Sequence, residues 1–91
     1  MSSHPVAMAE RMRERLAVLE PSLVEIEDDS ALHAGHAGAR DGGHYRLHIV
    51  AAAFAGKTTV ARHRLVYDAL GDLMRNGIHA LAIRAQAPDE Q

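Results

Sequence analysis

The chain has 91 residues, with 10 Lys or Arg, 12 Asp or Glu and a formal net charge of −2. This length builds one domain with a modest core, and the charge balance excludes a general affinity for nucleic acid or acidic membranes. Cysteine is absent, which excludes disulfides, thiol catalysis and any thiolate ligand from this chain.

Membrane and export signals are not found in the sequence. The longest apolar run, residues 49–54, is far too short to span a bilayer. The N-terminus lacks a basic start followed by an apolar stretch, so no secretory signal is predicted. We therefore expect a cytoplasmic protein without a membrane partner.

Two helices are predicted from apolar spacing. The first covers residues 5–19, with Pro5 in its first turn and Pro21 beyond its end. The second begins near Thr58 or Thr59 and is closed by Asn76-Gly77. Its apolar stripe comprises Val66, Ala69, Leu70, Leu73 and Met74.

Three segments are predicted to be strands. Leu23–Asp28 alternates with Val24 and Ile26 turned inward. Residues 44–51 alternate even more clearly, with Tyr45, Leu47 and Ile49 on one face and the polar His44, Arg46 and His48 on the other. A third strand covers residues 78–83 and leads into a polar tail. The order helix, strand, strand, helix, strand predicts an α+β fold, a two-layer αββαβ sandwich with both helices on one face of a three-stranded sheet.

The remaining segments are expected to be irregular parts of a single domain covering residues 1–91. Residues 29–43 are rich in Gly, Ala, His and Asp, with almost nothing to bury, and are predicted to form a long loop. The ends, about residues 1–4 and 86–91, are expected to be disordered or extended.

Histidine is the chemical feature of this sequence, since seven occur among 91 residues. His33, His36, His44 and His48 fall close together, and imidazole is the commonest metal ligand in proteins. His33-Ala34-Gly35-His36 has metal-like spacing but lacks the Glu of a zinc-protease helix. A solvated loop is the ordinary interpretation, and a site completed by ligands from elsewhere is the alternative.

The other motifs have ordinary interpretations as well. Gly56-Lys57-Thr58 lacks the earlier glycine of a phosphate loop, because that position is Ala51. His63, at the edge of the apolar stripe, is predicted to be a half-buried structural residue bonded to the backbone. His79 opens the third strand, either as a helix cap or as a ligand beside the sheet edge. No nucleophile, base and orienting acid form a set, so we expect no enzyme.

Two segments resemble the paired signatures of the BolA-like family. They are Arg62-His63-Arg64-Leu65-Val66-Tyr67 and Ile78-His79-Ala80-Leu81-Ala82-Ile83. Asp28-Asp29-Ser30, Gly43-His44-Tyr45-Arg46-Leu47 and Phe54-Ala55-Gly56 follow the order of the family, and the resemblance covers about residues 9–87. It implies an αββαβ core related to the type II KH fold.

The resemblance also implies a function. Many BolA-like proteins bind a monothiol glutaredoxin and share a [2Fe–2S] cluster with it, in iron–sulfur trafficking or in iron and redox regulation. The glutaredoxin and glutathione offer thiolates, while the BolA-like partner offers nitrogen from a loop His and a signature His. The signature ligand corresponds to His79 and the loop ligand to His33, with His36 as the alternative because this loop is longer than in some relatives. Alone, the chain is expected to hold no cofactor and to be a monomer or weak homodimer.

The alternative function implied by the resemblance is transcriptional regulation of stress and cell-shape genes by DNA binding. The candidate phosphate contacts are then Lys57, Arg62, Arg64 and Arg75. Such binding would weaken steeply with salt. The KH-like fold supports this function by analogy only, because fold does not determine function and the GXXG loop of KH domains is missing.

Overall fold

The helices begin and end close to the predicted positions. A computed structural model of the chain describes residues 5–29 and 43–91. Helix α1 is Pro5–Leu16, followed by the 3₁₀ turn Ala17–Leu19. Glu20 has a φ of 52° and precedes a proline, a position that disfavours continued helix. The predicted helix over residues 5–19 is therefore found, with a tightened last turn.

Helix α2 is Thr59–Leu70, and its start is set by Thr58. The Thr58 hydroxyl accepts a hydrogen bond from the Ala61 amide at 3.1 Å, a conventional N-cap. The α-helix ends earlier than predicted, because Gly71 has a φ of 57° and the chain continues as the 3₁₀ turn Gly71–Met74. The predicted apolar stripe nevertheless faces the core, with Val66, Leu70 and Leu73 buried.

Three strands form one mixed sheet in the order β1-β2-β3. Strand β1 is Leu23–Asp28, β2 is Gly43–Val50 and β3 is Ile78–Gln86. β1 and β2 are antiparallel, whereas β2 and β3 are parallel and joined through α2. Because parallel strands share their direction, the first residues of β2 and β3 lie at the same edge of the sheet.

One face of the sheet carries the core. Tyr45, Leu47 and Ile49 of β2 are buried, as their alternation predicted. The neighbouring strands contribute partly buried residues to the same cluster: Val24, Ile26, Leu81, Ile83 and Ala85. The helices and turns cover this face with Met12, Leu16, Phe54, Val66, Leu70 and Leu73, all fully buried. The structure thus has the two-layer αββαβ arrangement predicted from the sequence.

The other face of the sheet is polar. It forms a shallow groove of about 330 Å³ lined by Glu25, Glu27, Arg46, Leu47, His48, Ala82, Ile83 and Arg84. No helix among the described residues 5–29 and 43–91 covers it, since both helices contribute to the opposite, apolar cluster.

The carboxyl end of the chain corrects the expectation of a disordered or extended segment from about residue 86. β3 continues to Gln86, beyond its predicted end, and Pro88–Glu90 forms a 3₁₀ turn. Ala87 is buried, and the Glu90 carboxylate accepts hydrogen bonds from Arg62 at 2.6 and 2.8 Å. These contacts lie far apart in sequence, which is why local composition did not predict them.

Candidate metal site

His79 is exposed near the start of β3, at an irregularity in the parallel pairing. Gly43 lies opposite Ile78, and the next partners are His44 and Ala80, so His79 is an extra residue in β3. An extra residue of this kind bends a strand and redirects its side chain. The preceding Ile78 is buried, so this part of β3 is anchored in the core while the His79 ring stays accessible.

His44 lies beside His79. The centroids of the two imidazole rings are 5.1 Å apart, and their planes are inclined by 47°. His44 is half-buried near the start of β2, so the parallel pairing brings the first histidines of two strands together. The sequence placed His44 on the polar face of its strand and did not single it out as a ligand. The signal that identifies it is topological, because parallel strands begin at one edge.

Two glycines hold the strand starts together. The Gly43 amide donates a hydrogen bond to the Gly77 carbonyl at 2.9 Å, just before His44 and His79. A side chain at Gly43 would collide with the ring of Tyr45, and one at Gly77 would meet the Met8 methyl group. Gly77 also has a φ of 137°, a backbone conformation that side chains disfavour. The backbone beneath the two imidazoles is therefore closely packed.

Charged groups lie beside His44. A shallow depression of about 360 Å³ is lined by residues that include Asp29, His44 and Arg46. The Arg46 Nε donates to Asp29 Oδ2 at 2.6 Å, and Arg46 Nη2 lies 3.4 Å from Glu27 Oε1. The Asp29 carboxylate in this depression is thus paired with the Arg46 guanidinium.

The environment of the buried Tyr45 side chain favours its neutral, protonated form. Burial, and to a smaller extent the Asp28 carboxylate, raises the pKa of Tyr45 above its ordinary value.

His48 lies further along the same strand and has partners on both ring nitrogens. Its Nε2 is 2.7 Å from Gln86 Oε1, and its Nδ1 is 3.4 Å from Glu25 Oε1. A ligand needs an accessible nitrogen lone pair, which this arrangement does not offer. His48 is therefore a residue of the sheet surface and not part of the pair.

The predicted loop ligands His33 and His36 lie outside the described residues. The described segments on either side of residues 30–42 are joined by a hydrogen bond, which the Asp29 amide donates to the His44 carbonyl at 2.7 Å. Within residues 5–29 and 43–91, no group of three or more His, Asp or Glu side chains is arranged to hold a metal ion.

Comparison with known proteins identifies the family. The family model described as BolA-like protein matches residues 16–90. The chain belongs to the BolA-like family. Its structure is similar to the BolA domain of SufE1 from Arabidopsis thaliana, with a TM-score of 0.79 and 45% sequence identity over 99% of this chain and 100% of that domain. This similarity confirms the predicted family and the αββαβ fold.

Two curated relatives from Arabidopsis thaliana are longer proteins. SufE-like protein 1, chloroplastic/mitochondrial, is 49% identical over 87 residues, covering 88% of this chain and 24% of the relative. Protein BOLA1, chloroplastic, is 46% identical over 87 residues, covering 90% of this chain and 54% of the relative. The chain thus spans about a quarter and about half of the length of these BolA-like relatives.

Their names place these relatives in organelles. The cytoplasmic location expected for this BolA-like chain therefore stays a prediction. Among the described residues, no helix has the length and apolar character needed to cross a bilayer.

Arg62, in the first BolA-like signature, has a structural position. Its guanidinium donates to the Lys57 carbonyl at 2.9 Å, to the Ala85 carbonyl at 3.0 Å and to the Glu90 carboxylate. Its side chain is only 13% exposed. These bonds occupy most of its N–H donors, and its assignment as a phosphate contact stays a prediction. The other candidates, Lys57, Arg64 and Arg75, are exposed.

His63, the next residue of that signature, is half-buried as predicted. The expected hydrogen bond to the backbone is not found among the described residues, and its assignment as a structural histidine stays a prediction. It lines a shallow surface depression with Val60, Arg64 and Tyr67, at successive turns of α2. The helical spacing was right, but His63 lies on the solvent side of the apolar stripe.

Proposed function

We propose that this BolA-like domain binds a monothiol glutaredoxin and shares a [2Fe–2S] cluster with it, in iron–sulfur trafficking or in iron and redox regulation. The observation that carries the proposal is the exposed His79 ring beside His44, at the edge of the sheet, on a chain without cysteine. Membership of the BolA-like family supports the same function.

The donor set fits one half of such a cluster. Imidazoles that replace both cysteines on one iron make a Rieske-type centre, which has a higher reduction potential than an all-cysteine centre. His79 would supply one nitrogen, and the family resemblance gives the second to His33, with His36 as the alternative. The thiolates would come from the glutaredoxin and from glutathione, because this chain has none.

Accessibility supports a site that is completed by a partner. His79 is exposed, and the depression next to His44 is walled partly by the small side chains of Ala80 and Ala82. A partner that contributes half of the ligands must bring them close to the imidazoles. A surface pair on rigid strands allows this approach, whereas an enclosed site would not.

The proposed activity is binding, not catalysis. The alternative function, DNA binding by a transcriptional regulator, gains no support from a particular contact among residues 5–29 and 43–91. Arg62, one of its four candidate phosphate contacts, is bonded to Glu90 and to backbone carbonyls. We therefore propose the cluster function alone.

The test mixes the chain with a glutathione-loaded, cluster-bearing monothiol glutaredoxin. Visible absorption and circular dichroism report on the cluster, and size-exclusion chromatography reports on the complex. We expect a heterodimer with an altered cluster spectrum, and at least about tenfold less of it for His79→Ala, since metal sites lose affinity by such factors when their surroundings change.

His48→Ala is the matched control, because it removes an imidazole from the same sheet that is bonded to Gln86 and Glu25. It should leave the heterodimer spectrum unchanged. An unchanged spectrum for His79→Ala, or no complex with the unsubstituted chain, would contradict the proposed function.

A further inference from the structure

We propose that the outer faces of α1 and α2 bind a second copy of this chain, with α1 of each copy lying against α2 of the other. The proposal goes beyond the shared cluster, because it uses the helices and not the sheet edge that carries His79. It begins from three large apolar side chains that are exposed among the described residues: Val18, Val60 and Tyr67. All three belong to α2 or to the 3₁₀ turn that follows α1.

The exposed side of α2 combines apolar groups with a positive charge. Val60, His63, Arg64 and Tyr67, which we call the cationic stripe, recur at helical spacing and line a shallow depression of about 340 Å³. Val60 is 66% and Tyr67 42% exposed, and the Arg64 guanidinium forms no ion pair with another described residue. Asp68, on the next turn, is exposed and does not pair with Arg64 either. Exposed helical patches of this kind are typical of binding surfaces.

The exposed side of α1 carries the opposite charge. Glu10 and Glu14 are exposed one turn apart, and the exposed Val18 follows after one more turn. Neither carboxylate forms an ion pair with another described residue. We call Glu10, Glu14 and Val18 the acidic stripe. Like the cationic stripe, it places an apolar side chain beside charge that has no partner among the described residues.

The arginines near the end of α1 do not neutralise the acidic stripe. Arg13 Nη1 donates to the Val24 carbonyl at 3.0 Å, and Arg15 Nη1 donates to Asp72 Oδ1 at 2.9 Å. Both guanidiniums are therefore directed towards β1 or towards the turn after α2, and the two glutamates stay available to a partner.

Both stripes lie away from the proposed cluster ligand. α1 leads into β1, whose first residue Leu23 pairs with Val50 at the carboxyl end of β2. α2 begins at the same end, because Arg62 donates to the Ala85 carbonyl near the end of β3. His79, near the start of β3, is roughly 20 Å from Ala85 at about 3.3 Å per strand residue. A partner at His79 would thus leave the two helices accessible.

The charges select one arrangement of the two copies. With a two-fold axis parallel to the helices, each acidic stripe faces the cationic stripe of the other copy, and the attractive contact occurs twice. With the axis across the helices, α1 would face α1 and the glutamates would repel each other. Charge complementarity between the two stripes therefore identifies a second copy as the partner. The contact is small, so we expect a dimer at high protein concentration and a monomer when the chain is dilute.

The test measures self-association of the full chain by sedimentation velocity from about 10 μM to about 1 mM, the range of weak complexes. We expect a monomer–dimer equilibrium, and dilution should shift the backbone amide signals of both stripes. Arg64→Glu and Glu14→Arg should each weaken dimerisation by at least about tenfold, since each brings like charges together at both contacts. The double variant Arg64→Glu/Glu14→Arg reverses both charges and should restore dimerisation to within about threefold of the unsubstituted chain.

Arg84→Glu is the matched control, because Arg84 is an exposed arginine on the sheet. It changes the net charge as Arg64→Glu does and should leave dimerisation unchanged, as should His79→Ala. Circular dichroism checks that each variant is folded, and the dilution-dependent amide shifts of the unsubstituted chain test the surface without any substitution. A monomer at every concentration, amide shifts confined to the sheet, equal dimerisation for Arg64→Glu and Arg84→Glu, or no recovery in the double variant would each overturn the proposal.

Discussion

The two ends of the parallel strands β2 and β3 differ. Their carboxyl end, which we call the closed end, is covered by buried residues, whereas their amino end, the accessible end, lies at the surface. At their carboxyl end, the Ala51 amide donates to the Gln86 carbonyl at 3.0 Å, and Phe54 and Ala87 are buried. At their amino end, the Gly43–Gly77 hydrogen bond is followed at once by two imidazoles at the surface. The same pair of strands thus builds core at one end and presents donor groups at the other.

This difference separates two residues of the family signatures. Arg62, at the closed end, has its guanidinium bonded to Ala85, Lys57 and Glu90. His79, at the accessible end, is exposed beside His44. A polar residue in a family signature is therefore not a binding residue simply because its side chain could bind a ligand. Whether its polar atoms already have partners in the fold decides between structure and function.

We expect the largest loss in the free energy of unfolding from Phe54→Ala, at the closed end. Phe54 is fully buried directly after β2, and truncation of a buried phenylalanine lowers the free energy of unfolding by about 3–5 kcal/mol. Small domains have a free energy of unfolding of only about 5–15 kcal/mol, so this variant should be marginally folded. Urea denaturation followed by circular dichroism measures the loss.

Val18→Ala is the control for that experiment, because Val18 is 72% exposed. Exposed substitutions of this kind change the free energy of unfolding by about 0.5 kcal/mol or less. A Phe54→Ala variant as stable as Val18→Ala would contradict the description of the carboxyl end as part of the core.

A smaller effect is expected at the accessible end from Gly43→Ala. The added methyl group would collide with the Tyr45 ring, and overpacking of this kind costs about 1–3 kcal/mol. In a Tyr45→Leu background the ring is absent and the cost of Gly43→Ala should shrink, which a double-mutant cycle measures. Equal costs in both backgrounds would show that the packing against Tyr45 is not the reason for glycine at this position.

Most of the fold was predictable because its signals are local. Alternation in β2 predicted that Tyr45, Leu47 and Ile49 are buried, and the apolar spacing of α2 predicted Val66, Leu70 and Leu73. The family resemblance, carried mainly by the segments around Arg62 and His79, was confirmed by the comparisons.

The candidate site was only half predictable. His79 was identified from the resemblance, but its contact with His44 depends on the parallel pairing and on the extra residue in β3. Neither is encoded in the spacing of the histidines. The role of Arg62 was missed for a related reason, because its partner Glu90 lies on a 3₁₀ turn 28 residues further along the chain.

We expect the smallest loss in the free energy of unfolding from Arg62→Met. This loss should depend on pH, unlike those of the other substitutions. The Arg62 guanidinium, helped by the Ala87 amide, lowers the pKa of Glu90 from its ordinary 4.5 to about 2. A carboxyl group with a lowered pKa in the folded state stabilises the fold above its unfolded pKa, and this contribution is lost as the pH falls through the folded value. The excess stability of the unsubstituted chain over Arg62→Met should thus be constant above about pH 5 and decrease between pH 4.5 and 2.

Urea denaturation at several pH values between 7 and about 2.5 measures that difference. Because the Glu90 side chain is 40% exposed, solvent screens the ion pair and the effect stays below that of Phe54→Ala. Arg64→Met is the matched control, since Arg64 is an exposed arginine on the same helix and should leave the pH profile unchanged. If Arg62→Met and Arg64→Met share one profile, the bond to Glu90 does not stabilise the closed end, and Arg62 again becomes a candidate for binding a partner.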